Sequence, residues 1–143
     1  LPISIFVNSG KWYCEFRSNA AGDEDAIGIF TEHFDTSESS FYNGEFLALL
    51  GGSLYYSSYS SYGGSDFGSG DIVRMKLDLD NKTVGWAING GSFTDVNLSS
   101  YDSHSAGEYW TFGVRNGSSG GDGTHNISVN FGQDSSFAGS ETR

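Results

Sequence analysis

One cysteine, one proline and one methionine occur among the 143 residues of this chain, and only seven lysines and arginines. The single cysteine, Cys14, rules out an intrachain disulfide, so packing alone must hold the fold. No window of helical length carries apolar residues at i, i+3 and i+4, which excludes an amphipathic helical bundle. No apolar run approaches the ~20 residues of a membrane-spanning helix, and no secretory leader is legible. Membrane insertion is therefore not expected. The seven cations face 18 carboxylates, giving a net charge of −11 and a pI near 4.3. Nucleic-acid phosphates would be repelled by such a chain, and along the sequence the cations look scattered rather than clustered. The acidic excess reads as a solubility device, or as an exterior suited to salty water or divalent cations.

What is abundant is glycine, with 21 residues, alongside serine and an aromatic content of 15%. That composition suits short strands joined by turns. The centre shows it best, in Gly70-Asp-Ile-Val-Arg-Met-Lys-Leu-Asp-Leu-Asp-Asn-Lys-Thr-Val-Gly-Trp-Ala-Ile-Asn-Gly90. Val73, Met75, Leu77 and Leu79 alternate with Arg74, Lys76 and Asp78, and Val84, Trp86 and Ile88 share a face beyond the Asp-Asn-Lys turn. This is a half-buried antiparallel hairpin, with Asn89-Gly90 expected to supply positive-φ residues for the next turn.

Further strands are expected at Ile3–Val7, Lys11–Ser18, Ala26–Phe30, Glu45–Leu50, Ser53–Ser58, Ser92–Leu98, Glu108–Arg115 and from Ile127 to Phe131. Gly28 suits a place where a bulky residue would not fit. Trp12, Trp86, Trp110, Phe112 and Phe131 are expected in the core, with Trp110, Phe112 and Val114 on one face. Strands at this spacing indicate a two-sheet antiparallel sandwich. A single domain over residues 1–143 is expected; because the chain starts at Leu1, it is read as part of a longer or processed protein.

The central wording, with "GKWYCEF", "AIGIF", "SYGGSDFGSGDIVRMKLDLDNKTVGWAING", "YWTFGVRN" and "ISVNFGQDSSF" in order, resembles a SPRY domain from about Gly10 to Phe137. "SYGGSDF" and "NFGQDSSFAG" look most like SPRY domains of bacteriophage and environmental viral structural proteins. The resemblance implies an all-β, bent antiparallel sandwich of the SPRY kind, related to concanavalin-like lectins and glucanases of the jelly-roll type. It implies a non-enzymatic binding or assembly domain, such as a capsid decoration, head-fibre or tail-fibre domain. The location would be virion or extracellular, and the partner a virion neighbour or host surface protein. The alternatives are a lectin-like module for host-surface glycan, or a cellular SPRY protein-interaction domain. A homo-oligomer or a larger assembly is open on either reading.

Candidate contacts fall in expected loops at 31–44, 55–67, 99–107 and 116–125. Tyr55, Tyr56 and Tyr59 sit in a Tyr/Ser/Gly stretch with the composition of an antibody combining loop, where Tyr gives large amphipathic area at low entropy cost. Phe41, Tyr42 and Tyr101 are further contact candidates. Two acidic runs, Asp23-Glu24-Asp25 and Asp78 with Asp80 and Asn81, resemble the start of a calcium loop. Neither has the glycine and distant glutamate in register that such a loop requires, so no metal or other cofactor is expected.

No enzyme is expected either. Cys14 alternates with Trp12 and Phe16 and reads as a buried thiol, and His33, His104 and His125 lie in or beside loops. The acidic trio of concanavalin-like glucanases is absent. Neither a Gly-x-Ser-x-Gly elbow between a strand and a helix nor a His-Glu-x-x-His motif occurs. Four sequons, at Asn81, Asn97, Asn116 and Asn126, would predict glycans on surface turns in a eukaryotic secreted protein and are silent in a bacterial host.

Overall fold

A computed structural model describes residues 5–20, 26–32, 46–50, 53–56, 58–61, 66–100, 109–115 and 126–131. In chain order the strands are β1 (Lys11–Ala20), β2 (Ala26–Thr31), β3 (Phe46–Leu50), β4 (Ser53–Tyr56) and β5 (Ser58–Ser61). They continue as β6 (Ile72–Asp78), β7 (Thr83–Ile88), β8 (Thr94–Asn97), β9 (Trp110–Arg115) and β10 (Asn126–Asn130). The only helical turn among the described residues is a 3-10 turn at Leu98–Ser100. Two five-stranded antiparallel sheets result, ordered β10-β1-β6-β7-β8 and β5-β4-β3-β2-β9.

The central hairpin forms as its alternation dictates. Val73, Met75 and Leu77 face Ile88, Trp86 and Val84, and on the other side of β6 they face Phe16, Cys14 and Trp12. The turn between β6 and β7 is closed by Asp78, whose two carboxylate oxygens accept from the Asn81 backbone N–H (3.0 Å) and side-chain amide (2.9 Å). Lys82 takes the left-handed conformation there, with φ 54°. At the next turn Asn89 has φ 51°, whereas Gly90, expected to share that role, does not. Asn89 is suited to this position because its short amide replaces missing backbone bonds. Its Oδ1 accepts from the Ile72 N–H at 3.0 Å, its Nδ2 donates to Asp71 at 2.8 Å, and its own N–H donates to the Ile72 carbonyl.

Between the sheets, Cys14, Phe16, Val73, Met75, Leu77, Val84 and Trp86 meet Ile27, Ile29, Leu49, Leu54 and Trp110 in one core. Strand β2 is buried at every residue. On its outer side the Phe30 ring lies across Gly113, where a Cβ would stand 2.8 Å from the ring.

Several expectations are corrected. Of the N-terminal strand, only Val7 pairs, through a single bridge to Trp110, and residues 3–4 lie outside the described residues. Trp12 occupies an inner-face position yet is 41% exposed, because its indole lies over Gly10 and donates to the Ser9 carbonyl at the rim of the sandwich. Phe131 is half exposed because it follows the last paired residue of edge strand β10, where its ring tilts against Phe112 at 6.4 Å. Val114, on edge strand β9, is exposed for the same lack of a neighbour on one side.

Candidate functional site

The outer face of the first sheet is built from the positions that alternate with the core. On β1 these are Lys11, Tyr13, Glu15 and Arg17; on β6, opposite them in register, Asp78, Lys76, Arg74 and Ile72. Four of the chain's seven cations therefore share one face of two adjacent strands. The impression of scattered charge is wrong in three dimensions, because residues 11–17 and 72–78 are far apart in sequence but paired in register. That parity was available in the alternation of both strands; the register was not.

Glu15 and Arg74 stand opposite one another and both are buried. Glu15 accepts from the Tyr13 hydroxyl at 2.7 Å and from the Asn130 amide at 3.4 Å. Arg74 donates to the Gly91 carbonyl, and its guanidinium lies 5.0 Å from the centre of the Phe93 ring. Lys76 reaches the same ring at 4.8 Å and completes an ion pair with Asp95 at 3.0 Å. Phe93 is thus flanked by two cations, an arrangement worth about 0.5–1 kcal/mol per pair where water has access. The lysine crosses the strand because Gly85 lies between it and Asp95 in register.

Towards the start of β1, Lys11 pairs with Asp78 at 3.2 Å. The bond from the Asn81 side chain, aided by the Asn81 N–H and Lys11 and opposed by partial desolvation, lowers the Asp78 carboxyl to about 2. Asp80 accepts from the Gly10 N–H at 2.9 Å. The two carboxylates that resemble the start of a calcium loop are thus engaged in closing turns. Among the described residues no group of three or more His, Cys, Asp or Glu is placed to hold a metal. Burial, and then the neighbouring Glu15 charge, raise the Cys14 thiol well above its ordinary value, which disfavours the nucleophilic thiolate.

The expected loop contacts fare differently. Tyr55, Tyr56 and Tyr59 lie in strands, not in a loop: β4 and β5 form a hairpin at the edge of the second sheet, with Tyr55 opposite Tyr59 and Tyr56 opposite Ser58. A stretch rich in Tyr and Ser satisfies strand geometry as readily as it satisfies a contact loop. Across the same sheet, position 55 continues the register row of Gly113, Gly28 and Ala48. Phe41, Tyr42 and Tyr101 lie outside the described residues, as do His33, His104, His125, the acidic run at 23–25 and Asn116. No described helix is long and apolar enough to cross a membrane.

No protein-family profile matches this chain, and no curated protein does. Among solved structures it is similar to the SPRY domain of human HERC1, with a TM-score of 0.70 and 17% sequence identity. The likeness covers 92% of this chain and 80% of that one. The fold is SPRY-like, two antiparallel sheets in a sandwich.

Proposed function

We propose that this chain is a non-enzymatic protein-binding domain whose partner docks on the outer face of the first sheet. The observation that carries the reading is the gathering of Lys11, Arg17, Arg74 and Lys76 on that face of a chain with net charge −11. Arg74 is buried, and Lys11 and Lys76 are paired with Asp78 and Asp95. Exposed Arg17 and the open side of Lys11 are therefore what a carboxylate-bearing partner would meet, and such charges accelerate encounter more than they tighten the complex. Phe93 and Tyr13 supply partly buried aromatic area between the charges. The SPRY-like fold supports the reading in general terms, since fold kinship alone does not establish function. Tyr55, Tyr56 and Tyr59 remain further candidate contacts at the edge of the other sheet, Tyr55 and Tyr59 in one register row and Tyr56 at a position of the opposite face.

The narrower reading places the domain on a viral particle, as a capsid decoration or fibre domain with an extracellular location. Its support is the resemblance carried by "SYGGSDF" and "NFGQDSSFAG". Electron cryo-microscopy of particles from the source material tests it. Ordered copies of the sandwich on a capsid or tail are expected, and their absence returns the domain to cellular SPRY binders. The docking face itself is tested by charge reversal. Arg17→Glu combined with Lys11→Glu is expected to slow partner association while the melting temperature stays within a few degrees. Unchanged association would remove the outer face from the proposal.

A further inference from the structure

The rim where β1 begins carries a feature that the protein-binding face does not use. Trp12 stands in register with Leu77, at the end of a row that continues to Val84 and Val96 on the inner face. A tryptophan in that row is expected to bury, yet 41% of it is exposed. It is also fixed in place. Its Nε1 donates to the Ser9 carbonyl at 2.7 Å, and the indole passes over Gly10, where a Cβ would stand 3.6 Å from Nε1. Gly10 itself has φ 83°, a conformation that favours glycine and keeps the backbone low beneath the ring.

Asp80 flanks the same glycine. Its Oδ1 accepts from the Gly10 N–H at 2.9 Å, and the Gly10 carbonyl accepts from the Leu79 N–H at 3.0 Å. Asp80 is exposed and Gly10 half-buried, and among the described residues no donor reaches Asp80 Oδ2. Lys11, next in the chain, turns instead to the outer face, where it pairs with Asp78. A fixed indole and an available carboxylate oxygen therefore flank one turn.

We propose that this ledge binds a neutral pyranose of an oligosaccharide. The C–H face of the sugar stacks on the indole, whose π face is electron-rich. Its hydroxyls donate to Asp80 Oδ2. The ring's hydrogen bond to Ser9 means that little side-chain freedom is lost on binding. Asp80 and the net charge of −11 select against sialic acid and other anionic sugars. Single-site affinity on so shallow a ledge is weak, and several copies on one surface would raise it by avidity.

The test is proton–nitrogen NMR of the folded domain, in which Trp12, Trp86 and Trp110 each give one indole N–H signal. Lactose, cellotriose, maltotriose, mannotriose and chitotriose are titrated to about 10 mM, where a site with a Kd of about 1 mM is roughly nine-tenths filled. At least one sugar is expected to move the Trp12 signal and leave those of buried Trp86 and Trp110 in place. Trp12→Ala is expected to abolish binding. Asp80→Asn keeps an acceptor for the Gly10 N–H but loses the anionic oxygen, and is expected to weaken binding several-fold. If Trp12→Ala fails to fold, the Asp80→Asn titration decides. The proposal is overturned if no sugar moves the Trp12 signal, if binding survives Trp12→Ala, or if Asp80→Asn binds like the wild type.

Discussion

Lys76 and Asp95 form a 3.0 Å ion pair across the surface of Gly85, and the space for it exists only because position 85 has no side chain. A Cβ there would stand 2.3 Å from Asp95 Oδ1 and 2.8 Å from Lys76 Cε. Gly113 has a similar contact with a different neighbour, the ring of buried Phe30 at 2.8 Å. The two glycines separate a displaceable obstacle from a fixed one. Gly85→Ala is expected to dislodge the ion pair and change stability by no more than about 1 kcal/mol, the usual worth of an exposed pair. Gly113→Ala forces a packed aromatic ring to move and is expected to cost about 1–3 kcal/mol. Urea unfolding of the two variants makes the comparison, and equal costs would mean that Phe30 is not held in place.

Trp86 is 1% exposed and faces Met75 at the centre of the first sheet. Removing its ring leaves a cavity that the two sheets cannot close. Trp86→Ala is expected to lose about 3–5 kcal/mol, a large share of the stability of one domain. Chemical denaturation followed by far-UV circular dichroism measures this, and retention of wild-type stability would contradict the central hairpin's role in the core.

Asp78 gives the fold a pH signature. Its carboxyl is lowered to about 2, first by the bond from the Asn81 side chain, from an ordinary value of 3.8. A carboxylate lowered in the folded state stabilises it above the ordinary value, and that contribution is lost as the pH falls through the folded one. Asp78→Asn is therefore expected to melt below the wild type at pH 7. The gap should narrow from about pH 4 downward and close near pH 2. A gap that stays constant over that range would show that the charge of Asp78 is not what closes the turn.

The sandwich was largely legible because alternation and burial coincide in β1, β6 and β7. Val73, Met75, Leu77, Val84 and Trp86 could be assigned to the core from their parity alone. What parity could not reveal was where a row of inner positions runs out of cover. Trp12 and Phe131 sit on such rows and are exposed, one at the rim and one past the end of an edge strand. The strand at Tyr55 and Tyr56 was legible, but β5 at Ser58–Ser61 was taken for a loop because its composition fits both a contact loop and an edge strand, and only pairing with β4 decides between them. The cationic face was hidden for a related reason. Lys11, Arg17, Arg74 and Lys76 become neighbours only through the β1–β6 register, which no single strand specifies.

The central claim, that a protein docks on the outer face of the first sheet, is met most directly by site-directed photo-crosslinking. The chain's own Cys14 is buried, so a cysteine introduced on the surface takes the label alone. Asn97→Cys, on β8 opposite Thr83 of β7, places a benzophenone on that face, and Glu32→Cys places one just beyond β2 on the other sheet. In source material, a discrete protein adduct is expected from position 97 and not from position 32. An adduct from position 32 alone, equal adducts from both, or none from either would contradict it.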